Sequence, residues 1–222
     1  MPVPLAYFGS RGLFGGSGIQ YITIATAGNA TTFGTITQNR SVLGSCSNGT
    51  KGVFGGGESN GGSNVIDYVT IATTGNAIDF GDLSVSRKQL ASCSDGTKGV
   101  WSGGRLGASA SNTDTIDYVT VATTGNATDH GDLALIGYGQ VGTDSNTHAY
   151  CSGGYMPSLT TSRDKFSHAS SNSTVAQGDL SVAKGTAAGQ SSTTSGYAAG
   201  GYISAPYNRI DRHAFNSDST AT

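Results

Sequence analysis

One twelve-residue phrase occurs twice in this chain. Ile-Asp-Tyr-Val-Thr-Ile-Ala-Thr-Thr-Gly-Asn-Ala at 66–77 returns at 116–127 with only Val121 in place of Ile71. A diverged copy starts at Ile19, and fainter ones begin at Arg163 and Ile210. In these, Asp164 and Asp211 stay in phase with Asp67 and Asp117, while Gln20 holds the position in the first copy. A second landmark, the aromatic-glycine run at 52–57, is matched at 12–17, 99–104, 149–154 and 196–201. Five copies of one unit are present. A chain repeating in this way stacks supersecondary units and buries its apolar surface between neighbours.

Spacing divides the unit into a fixed and a variable part. From Gln20 to Gly57, Asp67 to Gly104, Asp117 to Gly154 and Asp164 to Gly201 the interval is always 37 residues. From the glycine run to the acidic position it is 3, 10, 13, 10 and 10 residues in chain order. All length change therefore sits in one loop.

Local signals within the unit are those of β-structure. Tyr68-Val69-Thr70-Ile71 and Tyr118-Val119-Thr120-Val121 are rich in β-branched and aromatic residues, and few windows carry a helical apolar period. Asn48-Gly49 and Asp95-Gly96 separate short runs as tight hairpin turns do. Gly75-Asn76 and Gly125-Asn126 mark the next turn, and 79–83 reads as a fourth strand. Four antiparallel strands in a unit of about 47 residues make a propeller blade. The expectation is an all-β, five-bladed propeller with under about a tenth helix, forming one domain over 1–222. Its blades would span 1–40, 41–87, 88–137, 138–184 and 185–222. The last blade stops before the counterpart of 79–83 and should be incomplete. Met1–Leu5 holds two prolines and would make a poor central strand to complete it. Something else should then lie against the edge at 210–215, a neighbouring subunit or more chain.

Composition narrows the functions available. Of 222 residues 35 are Gly, yet ten Tyr and seven Phe argue for a packed chain. Only 12% are charged and the net charge is −2, which excludes a basic surface for nucleic acid or anionic lipid. No apolar run approaches the roughly 20 residues of a membrane helix, so no membrane insertion is expected. Met1–Tyr7 has neither the basic start nor the apolar stretch of a signal peptide, so assembly inside a cell is the expectation.

With Gly56-Gly57 closing the second strand, Ile66-Asp67-Tyr68 in the third, Phe80 in the fourth and Arg87 after it, the unit resembles the kelch-type β-propeller repeat. The third blade fills these roles with Gly103-Gly104, Ile116-Asp117-Tyr118, His130 and Gly137. His130 and Gln177 stand where Phe33 and Phe80 are aromatic, and Gly137 where Arg40, Arg87 and Lys184 are basic. Looser packing is expected there. The phrases at 70–83 and 45–57 are also similar to a repeat of structural and tail-associated proteins of aquatic bacteriophages. That resemblance implies a component of a virus particle.

Catalytic chemistry is poorly represented. Cys46 and Cys93 share one repeat position, and Cys151 takes the slot of Phe14, Phe54 and Trp101, so all three read as small core residues. His130, His148, His168 and His213 lack a partner at metal-ligand spacing, and no cofactor or metal is expected. Asp79, Asp82, Asp129, Asp132 and Asp179 recur from blade to blade, as hydrogen-bonding structural residues do, whereas a catalytic pair is needed once. The run Asp95-Gly96 to Trp101 is spaced too widely for the aspartate box of sialidase propellers.

The variable loops are the candidate binding elements: 58–64, 105–112, 155–159 and 202–207. Being equivalent, they should emerge on one face. Arg105, Tyr155, Tyr202 and Tyr207 are the candidate ligand- or partner-binding residues, since flat rings stack on sugars and both residue types anchor interfaces. The leading expectation is a non-enzymatic tail-fibre or capsid appendage module. It would contact host surface glycan or other virion subunits, as an oligomer or assembled particle component. An extracellular bacterial adhesin or surface-polymer protein is the alternative, and a glycan-cleaving enzyme ranks below it.

Overall fold

The computed structural model describes residues 10–107, 111–170, 174–217 and 219–222. It is an all-β propeller of five small antiparallel sheets, with no helix among the described residues. The first sheet holds β1 (Arg11–Gly15), β2 (Ile19–Thr23) and β3 (Thr31–Gly34). The second is β4 (Gly44–Ser47), β5 (Lys51–Gly55), β6 (Ser63–Thr70) and β7 (Ile78–Lys88). The third comprises β8 (Ala91–Ser94), β9 (Lys98–Ser102), β11 (Thr113–Thr120) and β12 (Thr128–Gly137), while the short β10 (Arg105–Leu106) leaves it to pair with β7. In the fourth lie β13 (Val141–Asp144), β14 (His148–Ser152), β15 (Arg163–Ser167) and β16 (Val175–Gln177). The fifth has β17 (Ala188–Ser191), β18 (Ser195–Ala199) and β19 (Ile210–Ala214). The innermost strands β4, β8, β13 and β17 neighbour one another in that order. Met1–Leu5 lies outside the described residues.

Turn chemistry sets each hairpin. Asn48 Oδ1 accepts from the N–H groups of Thr50 and Lys51 at 3.0 and 2.8 Å, which leaves Gly49 at φ +83°, a conformation open to glycine at no steric cost. Asp95 and Gly96 repeat the arrangement. The double glycine has the same basis. Gly56 and Gly57 sit at φ +64° and +112°, and a Cβ on Gly57 would stand 2.7 Å from the carbonyl oxygen of Ser41.

Three kinds of latch recur between neighbouring blades. In the first, β7 bulges, since Asp67 opposes Asp79 but Ile66 opposes Gly81. The bulge turns backbone groups outward, and the turn of the third blade takes them. Gly125 N–H donates to Phe80 O at 2.8 Å, Asn126 Oδ1 accepts from Asp82 N–H at 3.1 Å, and Ala127 N–H donates to Asp82 O at 2.7 Å. Gly75, Asn76 and Ala77 grip Phe33 and Thr35 identically. Hydrogen bonding by the recurrent Asp82 to the next blade, expected from its repetition, runs through its backbone.

In the second latch a cation spans the blades. Lys51 lies 4.7 Å from the ring centroid of Tyr68 and donates to Ala122 O at 2.8 Å. Lys98 pairs with Tyr118 and the carbonyl of His168, and Arg11 with Tyr21 and the carbonyl of Ile71. The third latch is a buried ion pair. Arg40 reaches Asp67 at 2.7 Å, Arg87 reaches Asp117 at 2.8 Å and Lys184 reaches Asp211 at 3.2 Å. At Gly137 the cation is missing, and Met156 Cγ occupies the space where a Cβ would begin. Asp164, the carboxylate that cation would meet, accepts instead from the backbone N–H of Ala134 at 3.1 Å, and burial raises its pKa.

Apolar contacts fill the spaces between latches. Trp101 of the third blade is wholly buried and lies against Gly55 of the second, where a Cβ would come within 2.6 Å of the indole. Around it pack Cys46, Val53, Ile66, Phe80, Leu83 and Val121. Cys46, Cys93 and Cys151 are buried free thiols, as their repeat positions predict. His130 stands edge-on to Tyr118 at 5.1 Å, with Nε2 2.7 Å from Ser167 O, a packing histidine.

Among the described residues the fifth sheet has three strands. Its outer edge is not wholly bare, because Arg212 and Thr222 exchange backbone hydrogen bonds of 2.8 and 2.9 Å. That is the register of Tyr68 opposite Ile78, so the chain itself supplies the first residue of a fourth strand.

Candidate functional site

Where each double glycine ends, the next residue folds back against the residue following the basic position. Ser41 bridges to Glu58, Lys88 pairs with Arg105, Tyr138 bridges to Tyr155 and Gly185 bridges to Tyr202. Four equivalent pairs thus stand at one mouth of the propeller, where the innermost strands begin. The expectation that the variable loops share a face rests on the same equivalence. Positions 108–110 of the longest loop lie outside the described residues.

The pairs differ in chemistry while keeping their backbone bonds. Glu58 and Lys88 form an ion pair, and the hydrogen bond from Lys88 holds the Glu58 carboxyl below its ordinary pKa. The Arg105 guanidinium stands 5.3 Å from the ring centroid of Tyr138. Tyr138 in turn stacks on Tyr155, with centroids 5.1 Å apart and planes 12° from parallel. Arg105 and Tyr155 are therefore joined through Tyr138, a residue that sequence reasoning missed. Its signal was present in the repeat, since Tyr138 follows Gly137 as Lys88 follows Arg87.

Tyr202 is exposed and shares its bridge with Gly185, which gives it no ring to stack on. Tyr207 lies 5.6 Å from Lys184 Nζ, and its N–H closes the loop onto Gly201 O at 2.9 Å. Of the four candidate residues, Arg105 and Tyr155 belong to one continuous stack, whereas Tyr202 and Tyr207 serve the adjacent loop.

Just inside these pairs the backbone is strained. Val42, Gln89 and Thr186 adopt φ of +46°, +54° and +54°, with Gly139 at +67° in the equivalent place. Only glycine takes that region without penalty, and a β-branched residue there is an outlier. A chain of hydrogen bonds holds them. Thr186 N–H donates to Gly139 O at 2.7 Å, Gly139 N–H to Gln89 O at 2.8 Å and Gln89 N–H to Val42 O at 3.1 Å. Blade-to-blade bonding therefore fixes the mouth and the side chains it presents.

Behind the mouth the innermost strands border a cavity of about 470 Å³ lined by Ser45, Ser92, Cys46, Asp144, Gln190 and Ser191 among others. Burial pushes both lining thiols, Cys46 and Cys93, far above their ordinary pKa, so they are poor nucleophiles. Among the described lining residues Asp144 carries the one carboxyl, and burial raises its pKa to about 7. Among the described residues no cluster of three or more His, Cys, Asp or Glu stands close enough to hold a metal ion. No helix among them is long and apolar enough to cross a membrane. No protein-family model matches the chain, and no curated protein matches it.

Proposed function

We propose that the chain is a non-enzymatic recognition module of a virus particle, a tail-fibre or capsid appendage that contacts host surface glycan through its loop face. The observation that carries this reading is the stack of Arg105, Tyr138 and Tyr155 on the face where loop length varies. Half-buried rings offer sugar-sized apolar planes, and a guanidinium beside them donates to hydroxyls and carboxylates. Equivalent scaffold positions carrying unlike side chains are what a binding face on a repeat protein presents.

The similarity of 70–83 and 45–57 to repeats of phage structural and tail-associated proteins supports the virion context. Immunogold labelling of virions with an antibody to this chain tests it. Gold at a fixed site on the particle is expected. Label found only on host cell surfaces would replace the virion by the adhesin reading. Release of soluble sugar from host polysaccharide by the purified protein would replace recognition by turnover.

A further inference from the structure

One repeat position on the innermost strands changes its chemistry once. Ser47, Ser94, Asp144 and Ser191 are equivalent, each ending its strand at the hairpin turn. The serines tie neighbouring strands together: Ser94 Oγ donates to Ser47 O at 3.0 Å, and Ser191 Oγ accepts from Asp144 N–H at 2.9 Å. An ionised carboxylate has no proton to donate, so Asp144 cannot repeat the bond that Ser94 makes to the preceding strand. A residue repeated from blade to blade serves the scaffold, and one that departs from the repeat at the scaffold's cost calls for another role.

Asp144 lines the cavity of about 470 Å³ between these strands, a volume in the range of small-molecule sites, roughly 300–1,000 Å³. The other described lining groups are uncharged, namely serine hydroxyls, the Gln190 carboxamide and two thiols that burial keeps protonated. Asp67, Asp117 and Asp211 each meet a cation, whereas no ion pair among the described residues includes Asp144. Burial raises its pKa to about 7, Ser191 opposes the rise and the negative charge of Asp95 adds to it. A carboxylate so placed destabilises the chain, and a cation bound beside it would offset that cost. A calcium ion takes about six to eight oxygen ligands, and no cluster of three or more His, Cys, Asp or Glu stands here among the described residues. A primary ammonium asks less. It carries three donors and no acceptor, which one carboxylate and a few neutral oxygens satisfy.

We infer that Asp144 anchors an organic primary ammonium in this cavity, with the N–H groups on the carboxylate and the lining hydroxyl and carboxamide oxygens and the carbon stem against Cys46 and Cys93. The inference stands apart from the glycan reading of the loop face, which uses none of these residues.

Titration of the full chain with n-propylamine, followed by amide NMR at about pH 8, tests it. At that pH the Asp144 carboxyl is mostly ionised, and an alkylamine, titrating at about 10.4 as lysine does, is protonated. The amine should shift the amides of Ser94, Asp144 and Ser191, and n-propanol should bind at least about tenfold more weakly. Asp144→Asn should weaken amine binding at least about tenfold. Asp144→Ser, which restores the residue of the other blades, should do the same and serves if the first variant misfolds. The chain carrying Arg105→Ala, Tyr138→Ala and Tyr155→Ala should bind the amine as the wild type does, so failure at the loop face and failure here are distinguishable. A titration that shifts none of the three amides would overturn the inference. So would equal binding of propanol, the same shifts from potassium ions at the same concentration, or amine binding undiminished in folded Asp144 variants.

Discussion

The guanidinium of Arg87, from the second blade, lies 2.8 Å from the carboxylate of Asp117 in the third, and neither side chain has solvent-accessible surface. Arg87 also donates to the carbonyls of Gly103, Thr115 and Trp101, while Ser84 donates to Asp117 through both N–H and hydroxyl. A charge pair so enclosed is weak evidence of net stability, yet removing one member strands the other. Arg87→Met should lower the unfolding free energy by about 3–5 kcal/mol. Arg87→Met combined with Asp117→Asn should lose clearly less than the sum of the two single changes. Urea unfolding measures both, and simple additivity would show that the pair does not act as a unit.

Asp144 gives the protein a pH dependence. Its pKa stands at about 7 in the folded chain against an ordinary 3.8, mainly through burial, with hydrogen bonding from Ser191 opposing the rise and Asp95 adding to it. The folded state therefore binds this proton more tightly than the unfolded state. Its contribution to stability is present in full below 3.8 and is lost as pH rises through about 7. Asp144→Asn should raise the melting temperature above neutral pH and leave it nearly unchanged at acid pH. An equal shift at both ends would deny the titration.

Asn126 tests the latch at the bulge. Its Oδ1 accepts the N–H of Asp82 across the blade boundary at 3.1 Å in an exposed position. Asn126→Ala should cost about 0.5–1.5 kcal/mol and speed amide hydrogen exchange at Asp82. Exchange at Leu90 and Ala91, on the inner side of the same interface, should change little. Uniformly faster exchange across the second and third blades would mean that the latch is not local.

At the mouth, Val42 holds φ +46° with an exposed side chain. Asparagine visits this region far more readily, so Val42→Asn should stabilise the protein by roughly 1 kcal/mol. Thermal unfolding decides the matter, and a lowered melting temperature would show that the valine is not strained.

The constant 37-residue interval was legible at once, and the latches explain why it cannot vary. Between Asp67 and Gly104 the chain must meet Arg40 of the preceding blade, grip it with Asn76, offer the bulge at Gly81 to the following one and send Arg87 into it. One inserted residue would break two of these. The loop after Gly57 has only to return to Asp67, so its length is free.

Other features were hidden for physical reasons. Asp67 and Arg40 each recur in the repeat, but a contact between two different repeat positions of neighbouring blades leaves no trace in spacing. Tyr138 carries no signal of its own in the sequence, because only its bridge to Tyr155 makes it half of the stack. The positive φ of Val42 and Thr186 runs against residue preference, so no local signal announces it. Tyr202 and Tyr207 were grouped with Tyr155 by loop equivalence, and only the position of Gly185 separates them from the stack.

The most direct test of the binding face is an array of host surface polysaccharides probed with the wild-type chain and with a chain carrying Arg105→Ala, Tyr138→Ala and Tyr155→Ala. The three side chains lie outside the buried core, so urea unfolding of the variant should stay close to that of the wild type. The account predicts that the wild type binds one polysaccharide class and that the variant loses at least tenfold in affinity for it, about 1.4 kcal/mol. Undiminished binding by a folded variant would contradict the assignment of recognition to the loop face.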